Sequence, residues 1–291
     1  MMKNRIMLSR FIILLTFLFM FLLNTGVMAG EQKCGPIIKN KAPREDVEEQ
    51  INKLTPILIA PDYTYLPANE QEVIHYLVKA SRIIDNIFLE QVSKNNRRML
   101  RALKEYIGTP DQVYYDYFKI MYGPWDRLNN NAPFINLDEQ KPPGVNYYPP
   151  DLTQEEFESW INAHPHDEED FTSPFTVIKR RWYHLKAVPY TREYRTKLRR
   201  AARLLRKAAR LTSDPTLAAY LKSRATAFFT NDYRQSDIDW IGLDGDIELV
   251  FGPYETYEDE LLGFKAAFES FVCLVDRDES EKLQIIETFR E

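Results

Sequence analysis

The stretch DIELVFGPYETYEDELLGFKAAFESF, residues 246–271, decides how this chain reads. Its first part alternates, with Ile247, Leu249 and Phe251 apolar, and a period of two predicts a strand. Gly252-Pro253 ends that run, and Glu255 follows with Tyr257 two positions later. If the backbone there is extended, the spacing points both side chains to one face. A carboxylate that can hold a cationic amine then sits beside a hydroxyl that can donate to a developing oxyanion. A second apolar run, Phe264 to Val275, comes after Leu262-Gly263, so the stretch is expected to form a hairpin with a ligand-facing rim.

Upstream of it the periodicity is helical. Val47, Ile51 and Leu54 recur at helical spacing before Pro56, and Asn69 to Val92 carries Val73, Leu77, Ile84, Ile87, Phe88 and Val92 along one stripe. Further helices are expected over Asn95–Ile107 and Asp111–Met121, with Gly108 and Pro110 between them. Residues 123–150 differ in kind: proline, glycine and asparagine punctuate them, while Tyr122, Trp125, Phe134, Tyr147 and Tyr148 argue for packing. Thr153-Gln-Glu-Glu156 fits a capping box for the next helix, with Asp151 the other candidate cap. Tyr190–Leu211 reads as the strongest helix, and Ser213/Asp214-Pro215 opens another to about Phe229. A last helix is expected over Glu279–Glu291. The predicted class is therefore mainly α with a small late β element. The expected divisions are a signal peptide (1–29), a flexible lead-in (30–43), an N-terminal helical region (44–122), an ordered irregular connection (123–150) and a helical and hairpin region (151–291). A hairpin is marginal alone in water, so a sheet begun this late looks incomplete. Either a partner supplies the rest, or this is the N-terminal part of something longer.

Lys3, Arg5 and Arg10 precede the apolar run Phe11–Leu23, and Val27-Met28-Ala29 offers a cleavage site before Gly30. The expectation is export, to the periplasm or beyond, with an uncleaved membrane anchor as the alternative. Losing residues 1–29 moves the formal charge from −5 to −8. An acidic exported chain gives no general electrostatic case for binding nucleic acid. The two cysteines, Cys34 and Cys273, make no disulfide framework, and Cys273 is expected to pack as a small buried hydrophobe.

Other candidate sites read as structural. His75 has no second ligand at helical spacing. His164-Pro165-His166 precedes Asp167-Glu168-Glu169-Asp170, but proline separates the imidazoles and the acids suit the first turn of a helix. The chain carries no recognisable metal-binding motif of its own. Arg195–Arg210 sets eight cations around an alanine-rich stripe; close helix packing is the reading, with a membrane-surface role as the rival. The polar segment Asn231–Trp240 either ends a helix or lines a cleft.

The runs Tyr147–Thr153, Phe171–Ile178, Asn231-Asp232-Tyr233 and Gly252–Asp259 resemble the bacterial branch of the dipeptidyl peptidase III family, and Glu255-x-Tyr257 ahead of Phe264–Glu269 is the most specific piece. The resemblance implies the N-terminal part of a two-lobed zinc metallopeptidase that releases N-terminal dipeptides. It also implies that Glu255 binds the substrate α-amine and that Tyr257 stabilises the oxyanion. The family's zinc ligands lie on an H-E-x-x-x-H helix and a later glutamate, which this sequence lacks. The expectation is thus an inactive substrate-recognition portion, with peptide as ligand and a separate C-terminal half as the partner that would bring zinc. The alternative is an exported, non-enzymatic peptide-binding protein derived from the family.

Overall fold

In the computed structural model, residues 36–287 and 289 are described. The expected signal peptide and Cys34 lie outside them. Helices come first: α1 (Arg44–Asn52), α2 (Ala68–Val92), α3 (Asn96–Leu103) and α4 (Gln112–Met121). The short strands β1 (Trp125–Asp126) and β2 (Ala132–Pro133) pair within the irregular stretch. Helices α5 (Gln154–Ala163) and α6 (Glu168–Thr172) lead to the hairpin β3 (Thr176–Arg181) and β4 (His184–Pro189). Then come α7 (Tyr190–Glu193), α8 (Arg195–Leu211), α9 (Pro215–Thr230), α10 (Arg234–Ile241), β5 (Ile247–Glu255), β6 (Ala267–Leu274) and α11 (Arg277–Glu287). The fold is mainly α with small antiparallel β elements: among the described residues the sheets are three separate two-stranded pairs.

The core is built around α2. Val73, Leu77, Ala80, Ile84 and Ile87 are fully buried at alternating spacings of four and three residues, so one face is apolar along the helix. That face meets α8, which packs in turn on α9, while β6 lies across α2. Leu198, Ala201, Leu205 and Ala208 form the buried stripe of α8, and the alanines let the two backbones approach. Glu70 ties the start of α2 to the α8–α9 turn by accepting from Ser213 N at 2.6 Å and Thr212 Oγ1 at 2.9 Å. Asp214 caps α9 through the backbone N–H groups of Thr216 and Leu217, and Thr153 caps α5 through Glu156 N at 3.2 Å.

Three expectations need correction. Strands do not appear only late, because β3 and β4 pair from Thr176↔Pro189 to Arg181↔His184. Their turn holds Trp182 at φ 58° and carries no Asn-Gly or Gly signal, which hid the hairpin. The helix expected over 190–211 is broken at Tyr194, whose φ −102° and ψ 19° separate α7 from α8. Cys273 is exposed, not buried, because it shares the outward parity of β6 with Phe271. Within the stretch expected as a lead-in, Lys39 N donates to Asn136 Oδ1 at 2.8 Å and Ala42 N to Phe134 O at 3.0 Å. No helix among the described residues is long and apolar enough to cross a membrane.

Candidate peptide-recognition site

Strand β5 enters the site with Ile247, Leu249 and Phe251 turned into the core. Gly252 then takes φ +153°, and a Cβ there would meet Arg224 Nη1 at 2.6 Å, so only glycine suits the position. The register shifts between Pro253 and Glu255, a bulge that re-aims the end of the strand before Glu255 pairs with Ala267. The chain leaves the strand at Glu255, and Tyr257 stands in the following turn. The extended spacing expected from Glu255 to Tyr257 therefore does not hold.

The two side chains nonetheless interact electrostatically, the Glu255 charge acting on the Tyr257 phenol. Glu255 is exposed and Tyr257 is 67% exposed. The Tyr257 phenol is held above its ordinary pKa, first by partial burial and then by the charges of Glu269, Glu258 and Glu255, against a smaller opposing pull from Arg127. A neutral phenol is the form that can donate a hydrogen bond. Glu269 on β6 is likewise raised, by burial first and by Glu255 second. Two carboxylates and a phenol thus share one rim at the end of the β5–β6 hairpin, an arrangement suited to an ammonium group with a hydrogen-bond donor beside it.

The loop that carries this rim is clamped by groups outside it. Asp259 is buried; its Oδ1 accepts from Leu261 N and Leu262 N, and its Oδ2 from Phe264 N at 2.9 Å, Lys265 N at 3.0 Å and Tyr148 Oη at 2.6 Å. Glu258, also buried, pairs with Arg127 and lies 3.7 Å from Lys141 Nζ, which itself bonds Glu260 at 2.7 Å. The irregular 123–150 stretch therefore supplies the loop's counter-charges. Gln91 of α2 holds the other side, accepting from Phe268 N at 2.7 Å and donating to Ala266 O at 3.2 Å.

Two further buried cations complete the support. Lys265 is fully buried, and its Nζ donates to Phe171 O at 2.6 Å, Ser173 O at 2.8 Å and Thr176 Oγ1 at 2.9 Å. Burial pushes this amine down to about 7, with Asp259 and Asp170 opposing. Arg224 is held by Asp237 at 2.6 Å and sits 5.2–5.4 Å from the rings of Tyr220, Tyr233 and Tyr254. The residue types hinted at some of this: a lone lysine inside the apolar run 264–275 has to find acceptors. Nothing local named Arg127, Lys141, Tyr148 or Arg224 as their partners.

The other sequence candidates do not join the rim. His164 stacks on Trp160 with centroids 4.1 Å apart, and His184 meets the same ring edge-on. His75 is exposed on α2. Asn231 ends α9 in the left-handed conformation, and Asp237 serves Arg224. Among the described residues no three His, Cys, Asp or Glu side chains come together so as to hold a metal ion, so those residues do not fit the zinc implied by the resemblance.

Comparison with known proteins identifies relatives of the chain. Residues 146–288 match the model of peptidase family M49. The structure of DPP III from Caldithrix abyssi is similar at 47% identity and a TM-score of 0.79, over 82% of this chain and 46% of that one. Dipeptidyl-peptidase III from Corallococcus sp. strain EGB is similar at 34% identity and a TM-score of 0.81, over 86% of this chain and 47% of that one. Nudix hydrolase 3 of Arabidopsis thaliana is 31% identical over 87% of this chain and 39% of its own length. The chain spans less than half the length of each of these relatives. It belongs to the dipeptidyl peptidase III family, peptidase family M49.

Proposed function

We propose that this chain is the substrate-recognising part of an exported dipeptidyl-peptidase-III-type hydrolase. In this reading Glu255 holds the free α-amine of a peptide and Tyr257 donates to the oxyanion that forms when the scissile carbonyl is attacked. The observation that carries it is the clustering of Glu255, Tyr257 and Glu269 at the end of the β5–β6 hairpin, on a loop held by buried charges. Family membership supports the peptide as ligand, and the basic and apolar segment at residues 3–23 supports export. The family's zinc would be held by residues that are not part of this chain, whether on a longer polypeptide or on a separate C-terminal half. Its chemistry is to activate water, and this chain's share is to bind, orient and stabilise. The chain alone is therefore inactive.

Two measurements test this. Short peptides with a free N-terminus should bind the chain, while their Nα-acetylated forms should not. Glu255→Gln should weaken binding by about 2 kcal/mol, roughly thirtyfold. Equal binding of acetylated peptide would overturn the role of Glu255. A dipeptidyl-naphthylamide assay with added zinc should show no turnover, and metal-dependent hydrolysis by the chain alone would overturn the assignment of catalysis elsewhere. Peptide binding by a stably folded chain that no second half activates would favour the non-enzymatic binding protein.

A further inference from the structure

A groove of about 580 Å³ runs between α2 and α8, and its walls are basic. From α2 come Lys79 and Arg82, from α8 come Lys197, Arg200, Arg203 and Lys207, and Arg97 of α3 closes one end. Ile83 and Leu204 form the floor, and no lining residue is acidic or aromatic. Glu90 neutralises part of the Arg97 end, pairing with Arg97 at 3.0 Å and Lys197 at 2.5 Å. Arg200 and Arg203 have no carboxylate within ion-pairing distance among the described residues; Lys79 and Lys207 flank only the Tyr76 ring. Holding so many like charges together costs free energy unless an anion joins them.

We propose that this groove binds a linear, phosphate-bearing oligoanion. Along α8, Lys197, Arg200, Arg203 and Lys207 recur every three or four residues, so one comes about every 5 Å over a length of about 15 Å, and Lys79 and Arg82 face them from α2. An extended acidic peptide turns alternate side chains away and brings carboxylates to one face only about every 7 Å. A phosphate chain is charged at every unit and matches the denser spacing. Guanidinium groups, of which the groove has four, pair with phosphate oxygens two at a time. A membrane surface fits less well, because the apolar stripe of α8 that would enter lipid (Leu198, Ala201, Leu205, Ala208) is already buried in the core. A single-stranded nucleic acid fits less well, because no aromatic side chain lines the groove and the nearby Tyr76 ring is already flanked by Lys79 and Lys207.

The test is calorimetric titration of the full chain with a short inorganic polyphosphate at two salt concentrations. Binding should occur and weaken as salt rises. The double variant Arg200→Glu, Arg203→Glu should weaken it at least about tenfold at an unchanged unfolding midpoint, since both side chains are exposed. If that variant fails to fold, Lys79→Gln with Arg82→Gln on the opposite wall should show the same loss. Arg195→Glu with Arg199→Glu makes the same change of charge on another face of α8 and should leave binding within about twofold. An equal loss there would reduce the effect to net charge and overturn the site. Absent binding would overturn it too, as would equally tight binding of polyglutamate, which would indicate an acidic peptide, or of vesicles rich in anionic phospholipid, which would indicate a membrane.

Discussion

Lys265 shows how much of this molecule rests on single buried charges. It is a cation in the core whose three acceptors match the three N–H groups of an ammonium, two of them main-chain carbonyls. Replacement by methionine keeps the volume but leaves those acceptors unpaired. We expect Lys265→Met to cost on the order of 3 kcal/mol in urea unfolding. The pH dependence has a defined sign. The folded amine, at about 7, lies below its unfolded value of 10.5, so between those limits the unfolded chain binds more protons and stability rises with pH. That rise should be present in the parent chain and missing from Lys265→Met, and identical slopes would refute the assignment. The lysine's conflict with its apolar surroundings could be read locally, since a cation in such a run needs partners. The partners themselves could not, because they lie 89–94 residues away.

At the scale of elements, the β5–β6 hairpin depends on a close approach between strand and helix. Gly252 passes beside the buried guanidinium of Arg224, itself seated among three tyrosine rings. Gly252→Ala should strain the backbone at φ +153° and press on Arg224, a cost of about 2–3 kcal/mol seen as a lowered unfolding midpoint. Because the bulge beside it aims Glu255, the same variant should also weaken peptide binding; a loss of stability with unchanged binding would show that the rim is positioned by the loop clamp alone. The strand was legible from its alternation and the helices from their stripes and caps. The β3–β4 hairpin was not, since Trp182 and Tyr183, 83% and 92% exposed, occupy a turn where glycine or asparagine is usual.

The whole molecule is organised by the packing of α2 on α8, with α9 and the late hairpin laid against that pair. Alanine at 201 is buried completely in the α8 stripe. Ala201→Leu should force the helices apart and destabilise by about 1–3 kcal/mol, measured by thermal or urea unfolding, whereas Thr196→Leu at an exposed position of the same helix should be nearly neutral. Because α2 supplies Gln91 to the hairpin and one wall of the basic groove, this pair of helices supports both proposed binding surfaces. Local chemistry was enough to set most of the helices, the caps at Thr153 and Asp214 and the strand that leads to Glu255 and Tyr257, because hydrophobic period, capping residues and proline act within a few positions. The clamp on their loop, the early hairpin, the exposure of Cys273 and the meeting of basic stripes from α2 and α8 depended on the assembled fold. Each pairs groups that are distant in the chain or are sorted by which face the core covers, and neither distance in space nor burial is encoded in a short window of residues.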